Sequence, residues 1–168
     1  MMKNILLLLL VLLLTGSNLM SQSKTFDVLS FNPPRGWTHI DKVGTRTYSL
    51  HDNAKGLFGM IAIYTGAKSS GSAQKDFSST WNQIVRPSLE AGFAPLPTPA
   101  TPQAGYEGLQ GTSYGKSYGK ESTVTLINYT GGGKIVSIIL NFNSIKYEDA
   151  INRFLQSLKL AYPGHPGN

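Results

Sequence analysis

The sequence contains no cysteine. That absence excludes disulfide staples, thiolate metal sites, redox-active thiols and a lipid anchor attached at a cysteine. Acidic residues are scarce as well: nine Asp and Glu stand against fifteen Lys and Arg in 168 residues, for a formal net charge of +6. Carboxylates spread this thinly offer no obvious facing pair of the kind that glycoside hydrolysis requires. The three histidines, His39, His51 and His165, are far apart and share no metal-ligand spacing. No metal and no other cofactor is therefore expected. Beyond residue 14 no apolar run approaches the roughly 20 residues that a membrane-spanning helix needs. Basic residues are scattered from Lys24 to Lys159 without a basic run, which argues against nucleic acid as a partner.

What is present begins at the N-terminus. Lys3 precedes an unbroken apolar run from Ile5 to Leu14, and Thr15, Gly16, Ser17 and Asn18 follow. A positive start, an apolar core too short to span a bilayer and a small polar exit are the three parts of a cleavable secretory signal. Small residues allow cleavage after Ser17 or after Ser21; we take the second, so that residues 1–21 form the leader and Gln22 opens the mature chain. Lys3 leaves with the leader, which lowers the net charge by one. The expectation is an exported protein, periplasmic or extracellular, soluble, with no transmembrane segment and no lipid anchor. Residues 22–161 suffice for one globular domain with its own core, and the Pro/Gly-rich residues 162–168 read as a disordered tail.

Within that domain, alternation around Phe26 and Val28 predicts a first short strand ending near Phe31. Asn32-Pro33-Pro34-Arg35-Gly36 is a turn, and Trp37 follows as an apolar anchor. Residues 45–50 read as a strand, 51–56 as a hairpin loop, and 57–65 as a strand apolar on both faces, which must lie inside a covered sheet. Phe77, Trp81, Ile84, Val85 and Leu89 draw one apolar stripe on a helix that Pro87 should kink or end near Val85. Four prolines in residues 94–103 predict a stiff extended connection. Residues 105–114, 122–129 and 134–143 read as a three-stranded meander with a tight glycine turn at 131–133. Ser144 then caps a last helix with the stripe Tyr147, Ile151, Phe154, Leu155 and Leu158. The expected class is α+β, an antiparallel β-sheet flanked by helices.

Four short motifs carry a resemblance: Pro33-Pro34-x-Gly36-Trp37, Phe77-x3-Trp81, Gly105-Tyr106-x-Gly108 and Phe154-Leu155-x-Ser157-Leu158. Through them the chain resembles small exported bacterial proteins with a Mog1/PsbP-like α/β/α sandwich, over nearly all of residues 22–161. The resemblance implies interaction with a partner rather than catalysis, and it assigns no functional residue to this sequence.

Two catalytic patterns are imitated. Gly111-Thr112-Ser113-Tyr114-Gly115 matches the G-x-S-x-G of a serine nucleophile elbow, and Ser113, Asp149 and His165 follow in the corresponding chain order. The elbow requires a helix directly after the serine, and residues 116–129 carry no helical stripe. A small secreted serine hydrolase using Ser113 is nevertheless the alternative to a binding module. Gly111, Gly115, Lys116 and Ser117 imitate a phosphate-binding loop but leave one residue too few between the glycines.

Ser113-Tyr114-Gly115-Lys116 repeats directly as Ser117-Tyr118-Gly119-Lys120. This duplication reads as a lengthened hairpin loop, dispensable for folding, whose Tyr114, Lys116, Tyr118 and Lys120 are the candidate partner-binding residues. The expected function is that of a non-catalytic cell-envelope binding module, its partner an envelope protein, a glycan or a lipid.

Overall fold

The computed structural model describes residues 22–103 and 105–162. The leader expected over 1–21 and all but Tyr162 of the expected tail lie outside the described residues.

Among the described residues, ten strands and two helices form the domain. Phe26 and Phe31 do not belong to one strand: Asp27 has φ of 54°, and the chain folds there into a hairpin of β1 (Lys24–Phe26) and β2 (Leu29–Phe31). These two pair with the final strand β10 (Lys159–Leu160) in a three-stranded sheet. The main sheet has seven strands. In chain order they are β3 (Thr38–Lys42), β4 (Thr45–Asp52), β5 (Leu57–Lys68), β6 (Thr98–Pro99), β7 (Glu107–Ser117), β8 (Lys120–Gly131) and β9 (Lys134–Phe142). Their spatial order is β3-β4-β5-β9-β8-β7-β6. Every pairing between them is antiparallel. The proline-rich connection is therefore more than a spacer, because it supplies the sheet edge β6, where a missing amide is tolerated.

The apolar stripe predicted around Trp81 forms helix α1 (Ala73–Thr80), which continues through a π-helical turn (Trp81–Val85) into a last turn (Arg86–Ser88). Pro87 does not end the helix at Val85. The preceding turn widens, with the Arg86 amide donating to the Trp81 carbonyl five residues back, and this absorbs the missing proline amide. Helix α2 (Glu148–Ser157) follows a 3-10 turn, Ile145–Tyr147, whose Lys146 amide is capped by the Ser144 hydroxyl.

The two helices lie on opposite faces of the main sheet, each over its own core. On one face Phe77, Trp81, Val85 and Leu89 of α1 pack with Ala62, Val124, Leu126 and Ile139. On the other, Ile151 and Phe154 of α2 pack with Leu29, Phe31, Trp37, Ile61, Ile63, Ile138 and Leu140. Gly59 makes that second packing possible, because a Cβ there would stand 2.8 Å from both Trp37 and Tyr147. The alternation of side chains along β9 feeds both cores, which is why its residues are almost all buried.

Directly opposed residues share a face in an antiparallel sheet, so one row crosses the whole α1 face: Ile40, Thr47, Ala62, Ile139, Leu126 and Gly111. On the β7 side the row ends at Gly111, where an added Cβ would stand 2.9 Å from Phe77 and 2.7 Å from Pro95. At the β3 edge it ends at Ile40, which is 64% exposed. Helix α1 thus covers part of this face and leaves β3 and β4 open beside it.

Candidate binding site

The open half of the α1 face is closed at one end by the β7–β8 hairpin. This hairpin does not end in the lengthened loop that the duplication predicts. β7 runs through Ser117 and β8 starts at Lys120, leaving a two-residue turn at Tyr118-Gly119. Both turn residues have positive φ, 52° and 69°, the signature of a type I′ turn. The strand before it is docked on α1: the Lys116 amide donates to the Leu89 carbonyl at 2.7 Å. Gly115 allows that approach, since a Cβ there would lie 2.5 Å from the same carbonyl oxygen.

The four candidate residues do not form one patch. Tyr114 pairs with Thr123, which pairs with Phe142 and thence with Gly59, so it belongs to the α2 face. There it lines a depression of about 310 Å³ with Ile145 and Glu148. Tyr118 instead stands on the α1 face, with its ring edge-on to His51 at 5.2 Å and to Phe58 at 5.5 Å. His51 and Phe58 are themselves stacked at 6.3 Å. Lys120 reaches across to the β4–β5 turn, where a Cβ added to Gly56 would stand 3.4 Å from its Cε. Asn143 holds this turn in place by accepting from the Phe58 amide at 2.8 Å and donating to the Gly56 carbonyl at 3.0 Å.

Tyr118 therefore marks a boundary between two cavities. One of about 250 Å³ is lined by His51, Asn53, Leu57, Phe58 and Lys120. The other, about 370 Å³, runs along α1 over Thr47, Met60, Ala62, Tyr64, Ile84 and Leu89. The second has an apolar floor with hydroxyl and charged groups around it, and burial pushes the Tyr64 hydroxyl above its ordinary pKa. The sequence singles out Tyr114, Lys116, Tyr118 and Lys120 and gives no sign of His51, Asn53 and Phe58, which the structure places beside Tyr118. No local signal links residues 51–58 to residue 118; the strand order alone brings the two hairpin tips together.

The serine hydrolase pattern is dispersed. Ser113 pairs with Val124, within β7, and faces α1. Strand, not helix, follows it. Asp149 lies in the first turn of α2, on the opposite side of the sheet, and His165 lies outside the described residues. The described residues contain no group of three His, Asp or Glu arranged to hold a metal ion. Among them no helix is long and apolar enough to cross a membrane.

No family model matches the sequence, and no curated protein matches it. Two solved structures are similar in shape. One is a protein of Bacteroides thetaiotaomicron VPI-5482, with a TM-score of 0.49 and 15% identity, over 87% of this chain and 51% of that one. The other is LpqN of Mycobacterium tuberculosis, described as involved in cell envelope biogenesis, with a TM-score of 0.45 and 14% identity over 79% and 83% of the two chains. The present chain spans about half the length of the Bacteroides protein.

Proposed function

We propose that this protein is a non-catalytic binding module of the bacterial envelope and that it takes a glycan at the Tyr118 end of the sheet. The leader-like residues 1–21 support export, and the helix on each face of an antiparallel sheet supports reading the domain as a Mog1/PsbP-like sandwich. The observation that carries the binding site is the state of Tyr118. A bulky aromatic in the left-handed region is strained, and such strain concentrates at functional positions. Here the strained residue is 72% exposed, supported from behind by two other rings, and flanked by a cavity on either side.

The chemistry of the lining fits a sugar. An exposed ring offers an apolar face for the C–H side of a pyranose, and the amide of Asn53, the imidazole of His51 and the ammonium of Lys120 offer partners for hydroxyls. The larger cavity, about 370 Å³, is of small-ligand size. The test is an NMR titration of the purified protein with chitotriose and maltotriose, compared with Tyr118→Asn. Saturable shifts at the Tyr118, His51 and Phe58 ring signals, lost in the variant, support the site. Shifts absent with both sugars, or equal in the variant, would overturn it.

A further inference from the structure

A cavity of about 600 Å³ lies apart from Tyr118. It lies on the α2 side, between the turn that carries Asn32, Pro33, Pro34 and Arg35 and the outer flank of α2 with Arg153, Gln156 and Ser157. We infer that this cleft is a second binding site, for a compact anionic ligand: one carboxylate or phosphate group on a small ring or short apolar body. The inference is independent of the glycan reading.

Three observations carry it. First, among the described residues the lining is basic and holds no carboxylate: Arg35 and Arg153 stand there with the side-chain amides of Asn32 and Gln156. Arg153 is exposed and forms no ion pair among the described residues. A guanidinium suits the two oxygens of a carboxylate or phosphate better than any other side chain, because its planar fork can donate to both.

Second, the walls are fixed before any ligand arrives. The Asn32 backbone N–H donates to the Ser157 hydroxyl at 2.8 Å, and that hydroxyl donates to the Phe154 carbonyl at 2.7 Å. Pro33 and Pro34 hold the turn's backbone at set φ, and Pro34 is buried. A preorganised site loses less conformational entropy on binding.

Third, Pro33, Pro34, Ala150 and Phe154 supply an apolar surface next to the arginines. Apolar lining with a few placed polar groups is the usual composition of a small-ligand site. Pro33 and Pro34 from one motif and Phe154 and Ser157 from another, motifs that otherwise look like packing alone, line the two walls of this one cleft.

The experiment is a backbone-amide NMR titration of the purified protein with glucuronate, glucose 6-phosphate and inorganic phosphate, with glucose as the neutral control. Saturable shifts at Asn32, Arg35, Gln156 and Ser157 are expected with at least one of the anionic sugars and not with glucose. Glucuronate and glucose 6-phosphate separate a carboxylate site from a phosphate site, and inorganic phosphate shows whether the apolar body is needed. Arg153→Gln should weaken binding at least tenfold with an unchanged melting curve, Arg153→Lys should weaken it less, and Tyr118→Asn should leave it unaltered. Linear shifts scattered over the surface, equal binding of glucose, or full affinity in Arg153→Gln would each overturn the inference, whatever happens at Tyr118.

Discussion

The Tyr118 ring stands edge-on to Phe58, with centroids 5.5 Å apart and ring planes at 72°, although β9 separates their strands in the sheet. The contact joins the β7–β8 hairpin to the β4–β5 hairpin and keeps a strained tyrosine in place of the residue its turn would favour. Type I′ turns prefer Asn-Gly, and Gly119 already occupies the second position. Tyr118→Asn should therefore relax the backbone. The lost edge-to-face contacts with Phe58 and His51 offset part of that gain, since each is worth about 0.5–1.5 kcal/mol when well buried and Tyr118 is largely exposed. We expect equal or higher stability, by up to about 1 kcal/mol, or a melting temperature raised by about 2–4 °C. A fall of more than about 1 kcal/mol in a urea melt would mean that Tyr118 is retained for packing and not for binding.

Gly115 reads in the sequence as one more flexible residue of a duplicated loop, yet it is the point where β7 touches the end of α1. In Gly115→Ala the new methyl would meet the Leu89 carbonyl at 2.5 Å, and the Lys116–Leu89 hydrogen bond would have to lengthen. Overpacking of this kind costs about 1–3 kcal/mol. A urea melt checks it: a change within 0.5 kcal/mol would show that the hairpin can lift from α1 without cost.

Much of the fold was legible because its signals are periodic. The alternation of Val136, Ile138, Leu140 and Phe142 marks β9, and the Phe77–Leu89 stripe marks α1, since each pattern matches the geometry of its element. Three features were hidden. The break at Asp27-Val28 needs a left-handed aspartate, which composition does not announce. The helix outlasts Pro87 because its preceding turn widens, a tertiary choice made around the buried Trp81. The site was half legible: exposed Tyr118 and Lys120 stand out in the duplication, whereas His51 and Phe58 reach them only through a strand order that places β9 between β5 and β8. The split between Tyr114 and Tyr118 has a related cause. Four residues apart in one strand they would share a face, but the turn begins at Tyr118 and directs it to the other.

Ser113 offers a clean test of catalysis. It lies in the middle of β7 with the main sheet between it and Asp149, so among the described residues the carboxylate of the triad pattern does not stand beside the serine. A fluorophosphonate probe should not label the folded protein above the level of Ser113→Ala. Labelling of the wild type that disappears in the variant would reinstate the hydrolase reading.

Asp76 ties the stability of the domain to acid pH. It is 2% exposed at the start of α1, where its carboxylate accepts from the Ser69 hydroxyl at 2.6 Å, the Ser70 amide at 2.8 Å and the Thr130 hydroxyl at 3.1 Å. Burial alone would raise its pKa, but the hydrogen bonds from Ser69, Ser70 and Thr130 outweigh burial and hold it below the ordinary aspartate value. The sign follows directly. A carboxyl with a depressed folded pKa adds stability that is fully present above its unfolded pKa, about 3.9, and is lost as pH falls through the folded value. Asp76→Asn keeps the size but removes the charge, and it turns one acceptor oxygen into a donor amide facing groups that also donate. Hydrogen bonds to a charged group contribute about 1.5–3 kcal/mol each, so the variant should lose about 2–3 kcal/mol at pH 7. The difference between the two proteins should then shrink as pH drops below about 4, where the carboxyl of the unfolded chain begins to protonate, and vanish as pH falls through the lower folded value. Urea melts from pH 7 down to pH 2.5 measure both quantities. A gap that is constant across this range would show that Asp76 acts through shape alone and that its charge contributes nothing to holding Ser69, Ser70 and Thr130 together.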